Sequence, residues 1–582
     1  LTPIALALGG LALAAVAAAA VTFARHGEPG RAPAGGGSEA APSTAAHAGA
    51  DEDLGPAAAL IEEARRLLAR RRLPEALAGF ERAVALDPRS ARAMAGRAEA
   101  NYRLKRDAEA LADYDTALRL DASLAAAWAG RGTVHARLSH DEEAVADYSE
   151  ALRLDPEDAL TYFKRATSQQ TLGRSAEALA DYDRAIEFDP QNSFAHTMRG
   201  MNRELAGQNE LALADYDAAL RLAPGDLRTR KSRAETLRKL GRFEEAVADY
   251  DLVLERAPEA LLYRNRGMAL AQLERYADAV ADYDRAIALG LDSAIVHAHR
   301  GSANQALGER SQALADYGRA IARAPEEPDH YLRRGLLHAG LAKLSAASAD
   351  FDRALELDPE NLEALLARGN LKALRGRLAE SLADFDRALE LDPQLGAAHL
   401  ARGLALRGLE RDDDALAAFD RAQELAPENP KPPLYRAEIH AKRGAFADAI
   451  ADFGRALEAD PQRAAAYQGR AQAYVALERR AEALADYDRY LELRPNDAQA
   501  YAMRAGQKRE LGRLEEALAD YDAALQVKPE SAGVLSSRAM LHLRLEHYRE
   551  AVEDFDRAIA LGSPMRALLE KYRAEAAAKL GE

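Results

Sequence analysis

The chain has 582 residues, no cysteine, and 78 Lys and Arg against 94 Asp and Glu for a net charge of −16. Disulfides, thiolate nucleophiles and Cys-ligated zinc or iron–sulfur clusters are therefore excluded, and a sequence-wide attraction for nucleic acid or anionic lipid is opposed. Cores stop growing near about 250–300 residues, so a chain of this length holds either several domains or a repeat array that lengthens along one axis.

Ala, Leu, Arg and Asp dominate while Trp occurs once, which favours helices packed through small residues over aromatic-rich sheets. The GC-rich codon usage that Ala, Arg and Gly imply points to a bacterial source.

The first predicted element lies within residues 1–25. Ile4 to Ala24 carries no charge and has about the 20 residues that a spanning helix needs. It reads as a single-pass membrane anchor, weakened by its Ala content and by Gly9–Gly10. A cleaved signal peptide is the rival. No basic n-region is visible, and Ala17–Ala20 runs on into Val21-Thr22-Phe23 without a polar break. Arg25 and Arg31 after the span would hold the remainder cytoplasmic by the positive-inside rule. The chain opens on Leu1 rather than Met, so an upstream segment is expected, and it leaves the side of the membrane open. Residues 26–56 turn to Ala, Gly, Pro and Ser, with Ala34-Gly35-Gly36-Gly37-Ser38, and read as a flexible linker.

From residue 57 one pattern recurs, best seen in YFKRATSQQTLGRSAEALADYDRAIEFDP from Tyr162 to Pro190. The aromatic of its A-D-Y-D phrase falls at Phe80, Tyr114, Tyr148, Tyr182, Tyr216, Tyr250, Tyr283, Tyr317, Phe351, Phe385, Phe419, Phe453, Tyr487, Tyr521 and Phe555. These 15 copies are 34 residues apart except for one step of 33 after Pro258. Counting each copy from 1, position 8 is Gly or Ala throughout, position 20 is Ala except at Ser381, and position 27 is Ala except at Val253 and Tyr490. Position 32 is Pro in twelve copies and departs at Ala122, Leu291 and Ser563; those three turns are expected to be the least sharply defined.

This motif, over residues 57–565, resembles the tetratricopeptide repeat family. The resemblance implies an all-α fold: a right-handed superhelical solenoid of antiparallel helix pairs, here joined to an N-terminal transmembrane helix. Small residues at 8 and 20 are expected to oppose each other and let the helices approach, with the aromatic at 24 filling the groove between hairpins. Proline stops the second helix, and Asp-Pro, Pro-Glu-Asn and Pro-Gln-Asn supply turn and N-cap oxygens. Residues 566–582 look like a capping helix, with Leu568, Leu569, Tyr572 and Leu580 on one side.

Arg stands at position 7 in 14 of the 15 copies and Asp at position 23 almost as often. In a hairpin turning near positions 15–16 the two face each other, so an Arg–carboxylate pair is expected. A ladder of ligand-binding arginines is the functional alternative.

Catalytic chemistry finds no support. Neither G-x-x-x-x-G-K-[ST] nor G-x-G-x-x-G occurs, so no nucleotide cofactor is expected. The 13 histidines lack H-E-x-x-H. His297 and His299 point to different helix faces, and His135/His140 and His542/His547 are five apart, so no metal site is expected. Carboxylates in the A-D-Y-D phrase should face Arg or water, giving no acid/base dyad.

The family binds proteins, and its first helices contact an extended peptide or helix through positions 2, 5, 9, 12 and 13 on a concave surface. Arg228, Lys231, Arg238, Lys239 and Arg264 fall there as a basic run that would suit an acidic peptide; a solvated helix face explains it as well. Phe163, Phe194, Met198 and Met201 give an apolar anchor beside it, or core packing. The Lys, Asn, Asn, Lys, Arg set that family members use to hold a chaperone tail is absent.

The chain is thus read as a membrane-tethered, non-catalytic scaffold or adaptor. The alternative is the recruitment region of a larger membrane-spanning enzyme, such as a Ser/Thr kinase, with its catalytic domain upstream. Nucleic-acid binding by helical repeats of period 35 is opposed by charge and period alike.

Overall fold

The computed structural model describes residues 56–581. The candidate span at 4–24 and the linker up to residue 55 lie outside the described residues. Pro56 already opens the first helix, one residue before the expected boundary, because its missing N–H costs nothing in a first turn.

Among the described residues there is no strand and there are 31 α-helices. Thirty of them alternate as the first and second helices of hairpins, 12 to 14 residues each, and the last, Arg566–Gly581, stands alone at 16. No helix among the described residues is long and apolar enough to cross a membrane.

Local chemistry sets the boundaries. First helices start where Ser90, Asp158, Asn192, Asp226, Asn361 and Asp497 accept backbone N–H groups of the first turn. They end at position 15, where φ is positive in every hairpin: Gly at 173, 207, 241, 308, 376, 444 and 512, and elsewhere residues such as Arg71, Ser139, Glu478 and Glu546 at φ 57° to 61°. At Gly173 the chain reverses as Gly173 N–H bonds the Gln170 carbonyl and Arg174 N–H the Gln169 carbonyl, the pairing that closes a left-handed helix cap.

The three turns that lack proline are closed by other bonds. Gly290 (φ 95°) and Gly562 (φ 77°) precede Leu291 and Ser563, and a second cap of the same kind forms, with Leu291 N–H on the Ala286 carbonyl and Ser563 N–H on the Ala558 carbonyl. At Ala122 the Trp128 indole N–H donates to the carbonyl at 2.9 Å, while Asp121 takes both Ser123 donors. The Trp128 contact recurs with other side chains at position 4: Arg230 donates to the Pro224 carbonyl and Tyr331 to that of Pro325.

Packing refines one expectation. Position 8 does approach the small residue at 20, a Cβ on Gly200 meeting the Ala212 carbonyl oxygen at 3.2 Å, but the aromatic at 24 of the same hairpin is nearer still: a Cβ on Gly369 would meet Phe385 at 2.5 Å, and one on Gly200 would meet Tyr216 at 2.7 Å. The other side of the ring faces the next hairpin, where Gly96 lies under Phe80 and Gly469 under Phe453. The aromatic does fill the groove between hairpins, buried throughout together with Ala at 20 and 27.

The described residues divide into two compact blocks at Ala324 and Pro325. The first holds the hairpins from Pro56 to Arg323, the second those from Pro328 to Ala560 and the lone helix. That helix buries Leu569 and Ala576 against the last hairpin, stacks Tyr572 on Phe555 at 6.5 Å and bonds Arg573 to Asp556 at 3.0 Å. Leu568 and Leu580, expected on the covered side, are exposed, because the apolar ridge runs through 569, 572 and 576 at helical spacing.

Candidate functional site

The position-7 arginines form an ion-pair ladder. Arg131 Nε and Nη2 hold Asp147 at 2.9 and 2.7 Å, and Arg504 holds Asp520 at 2.8 and 2.6 Å. The same fork closes every hairpin that carries both residues, and each such Asp is buried. Where the preceding hairpin carries the second Asp, the third donor turns to it: Arg131 Nη1 to Asp115 at 2.7 Å, Arg504 Nη1 to Asp488 at 2.6 Å. The two aspartates of A-D-Y-D thus serve different partners, the first its own hairpin and the second the next. The hydrogen bonds that Arg131 donates to Asp147 hold its pKa well above its usual value.

Position 11 adds a further contact. Asn101, Arg203, Asn304, Lys372 and Lys508 each reach the buried Asp. Arg402, opposite Ala418 where the Asp is missing, bonds Asp386 instead. With their donors taken, these arginines are parts of the hairpin, and the ligand-ladder reading is set aside.

The basic run is mostly neutralised. Lys231 bonds Glu259 at 2.6 Å, Lys239 bonds Glu204 at 2.8 Å and Arg238 bonds Glu235 at 2.5 Å. Glu235 also accepts from Tyr250 Oη at 2.8 Å and Asn265 Nδ2 at 3.1 Å. Burial pushes its pKa up, but the Arg238 and Tyr250 bonds outweigh that and hold it below the usual value. Two cations remain without a carboxylate among the described residues. Arg264 donates only to Asn265 Oδ1, at 3.1 and 3.0 Å, and burial lowers its pKa. Arg228 lies over the Phe194 ring at 6.0 Å.

The apolar residues are brought partly together. Phe163 meets Phe194 at 5.4 Å and Tyr182 at 5.9 Å, and Met198 packs on the same cluster. Phe194 keeps 38% of its surface exposed. Met201 is half-buried one turn further along the helix. Phe163, Phe194, Met198 and Arg228 therefore form one patch, while Lys231, Arg238 and Lys239 are engaged elsewhere.

Sequence reasoning passed over Leu160, Leu261 and Ile295, which occupy the same slot as Phe194, position 2, and are exposed. The signal was present as apolar residues recurring in that slot of neighbouring repeats, with Arg228 between them. No group of three or more His, Cys, Asp or Glu among the described residues is placed to hold a metal ion. The histidine pairs five apart, a spacing expected to be unsuitable, do meet, however, with His542 and His547 Nδ1 at 3.3 Å, since the reversal at position 15 breaks the helix between them.

Two family models, both for the tetratricopeptide repeat, match this sequence. One covers residues 61–125, 108–159, 163–226, 231–294, 332–396, 375–430 and 503–563, the other residues 440–506. No curated protein matches. Among solved structures, the C-terminal part of a TPR repeat-containing protein from Cytophaga hutchinsonii is 18% identical, with a TM-score of 0.36 over 40% of this chain and 97% of that one. A tetratricopeptide repeat protein from Parabacteroides merdae is 20% identical, with a TM-score of 0.35 over 42% and 98%. Yeast Tom70 is 18% identical, with a TM-score of 0.28 over 84% and 96%.

Proposed function

Because this chain belongs to the tetratricopeptide repeat family, whose members serve as scaffolds for protein–protein interaction, we propose that it is a non-catalytic adaptor holding a partner peptide or helix on its first-helix surface. The contact is centred on Phe163, Phe194 and Met198, with Arg228 and Arg264 as its cations. Residues 4–24 tether it to a membrane, and the partner segment is acidic.

One observation carries this reading: an exposed aromatic and a cation with no carboxylate share one patch on neighbouring first helices. An apolar anchor supplies most of the energy of such contacts, and a desolvated cation selects the charge that meets it. Lys231, Arg238 and Lys239 already bond carboxylates and contribute little.

The test is capture from the native cell with the full chain as bait, beside Phe194→Ala with Arg228→Glu and, separately, Lys231→Glu with Lys239→Glu. A partner lost with the first pair and kept with the second is the expected result. Retention with the first pair would remove the patch from the interface.

A further inference from the structure

His542 and His547 stand at positions 11 and 16 of their hairpin, and on an unbroken helix they would face apart. Glu546 between them, at φ 61°, reverses the chain. The His547 N–H then returns to the His542 carbonyl at 2.9 Å, and the two Nδ1 atoms come within 3.3 Å. Two imidazole nitrogens bonded to one tetrahedral ion at about 2.0–2.1 Å stand about 3.3–3.4 Å from each other, so this separation already suits a shared ion. His542 is buried and His547 exposed, which leaves solvent access on one side.

The same pair of histidines across the same turn occurs twice. His stands at position 16 only at His140 and His547, and in both hairpins position 11 is also His. Ser139, at φ 61°, reverses the chain between His135 and His140. Their rings come to 5.9 Å, against 5.6 Å for the second pair. His135 Nδ1 is buried with no hydrogen-bond partner, and is therefore open to a ligand.

We propose that each His-x-x-x-x-His turn binds one divalent cation of the zinc, nickel or copper class through its two imidazoles, with water completing the coordination. Neutral imidazoles select this class over magnesium and calcium, which prefer oxygen. The ion joins the end of a first helix to the start of the second, across a turn whose left-handed residue is not glycine.

The experiment is calorimetric titration of the full chain, stripped by chelator, with Zn2+ and then Ni2+. Two ions per chain are expected, one after His547→Gln, and none after His140→Gln with His547→Gln. His399→Gln, whose ring bonds the Pro393 carbonyl at 3.0 Å, should keep both. Circular dichroism confirms that each variant is folded, and Cu2+ electron paramagnetic resonance should lose its nitrogen coupling in the double variant. A wild-type chain that takes up no metal, or a double variant with undiminished uptake, would overturn the proposal.

Discussion

A single aspartate of the A-D-Y-D phrase has a different weight from its neighbour two residues on. Asp316 is 1% exposed and accepts from Arg300, Asn304 and Arg319, while the Asp284 side chain, which also meets Arg300, is 56% exposed. Removing Asp316 strips Arg300 of its buried carboxylate, leaving it only the exposed Asp284, and takes the acceptor from Asn304, which costs about 3–5 kcal/mol. Removing Asp284 breaks an exposed pair worth about 0.2–1 kcal/mol. Denaturant midpoints of Asp316→Ala and Asp284→Ala should differ accordingly, and equal midpoints would dismiss the division of labour. The Arg–Asp pairing was legible from recurrence alone. The sharing of most of these arginines with the preceding hairpin was not, because residues 16 positions apart in opposite directions cannot be ranked without knowing which side chain points between hairpins.

At the scale of the helix and its cap, the left-handed residue at position 15 was only half visible. Seven hairpins announce it with glycine, whereas Arg71, Lys105, Ser139, Glu274, Ala342, Glu410, Glu478 and Glu546 adopt the same φ without it. A side chain there costs about 1–2 kcal/mol relative to a right-handed residue, against which glycine loses some stability through the freer unfolded chain. Gly512→Ala should therefore lower the melting temperature and Glu478→Gly raise it, each by roughly the effect of 1 kcal/mol; shifts of the same sign would mean that the turns differ in conformation. Helix existence, length and period followed from the repeat, but the first-helix surface did not. Lys231, Arg238 and Lys239 read as free cations because their carboxylates, Glu259, Glu235 and Glu204, lie in other turns or hairpins or were counted as a separate charge. Leu160, Leu261 and Ile295 escaped because a position-2 apolar residue has the same pattern whether it is buried or not.

Over the whole chain, stability should be close to a sum of hairpins and their junctions. Excising residues 498–531, one full period, brings Arg538 opposite Asp488, the aspartate that Arg504 bonds at present. Helicity per residue measured by circular dichroism should be unchanged, and the shortened chain should still unfold cooperatively. A collapse of helicity would show that the junctions are not equivalent. The repeat architecture was fully legible because one period governs it. The histidine pairs were not, since their meeting depends on a backbone reversal that spacing alone hides.

The shared arginine has a consequence for how such a chain changes over generations. Most junctions are written with the same two aspartates and one arginine, with exceptions at Glu81, Ser149, Gly318, Ala418 and Gly454, so an outgoing Asp from most copies meets an incoming Arg from almost any other. Unequal recombination between copies then yields a gene whose new seam is already bonded, and the number of repeats becomes a quantity that a lineage can alter by whole steps without first passing through an unfolded product.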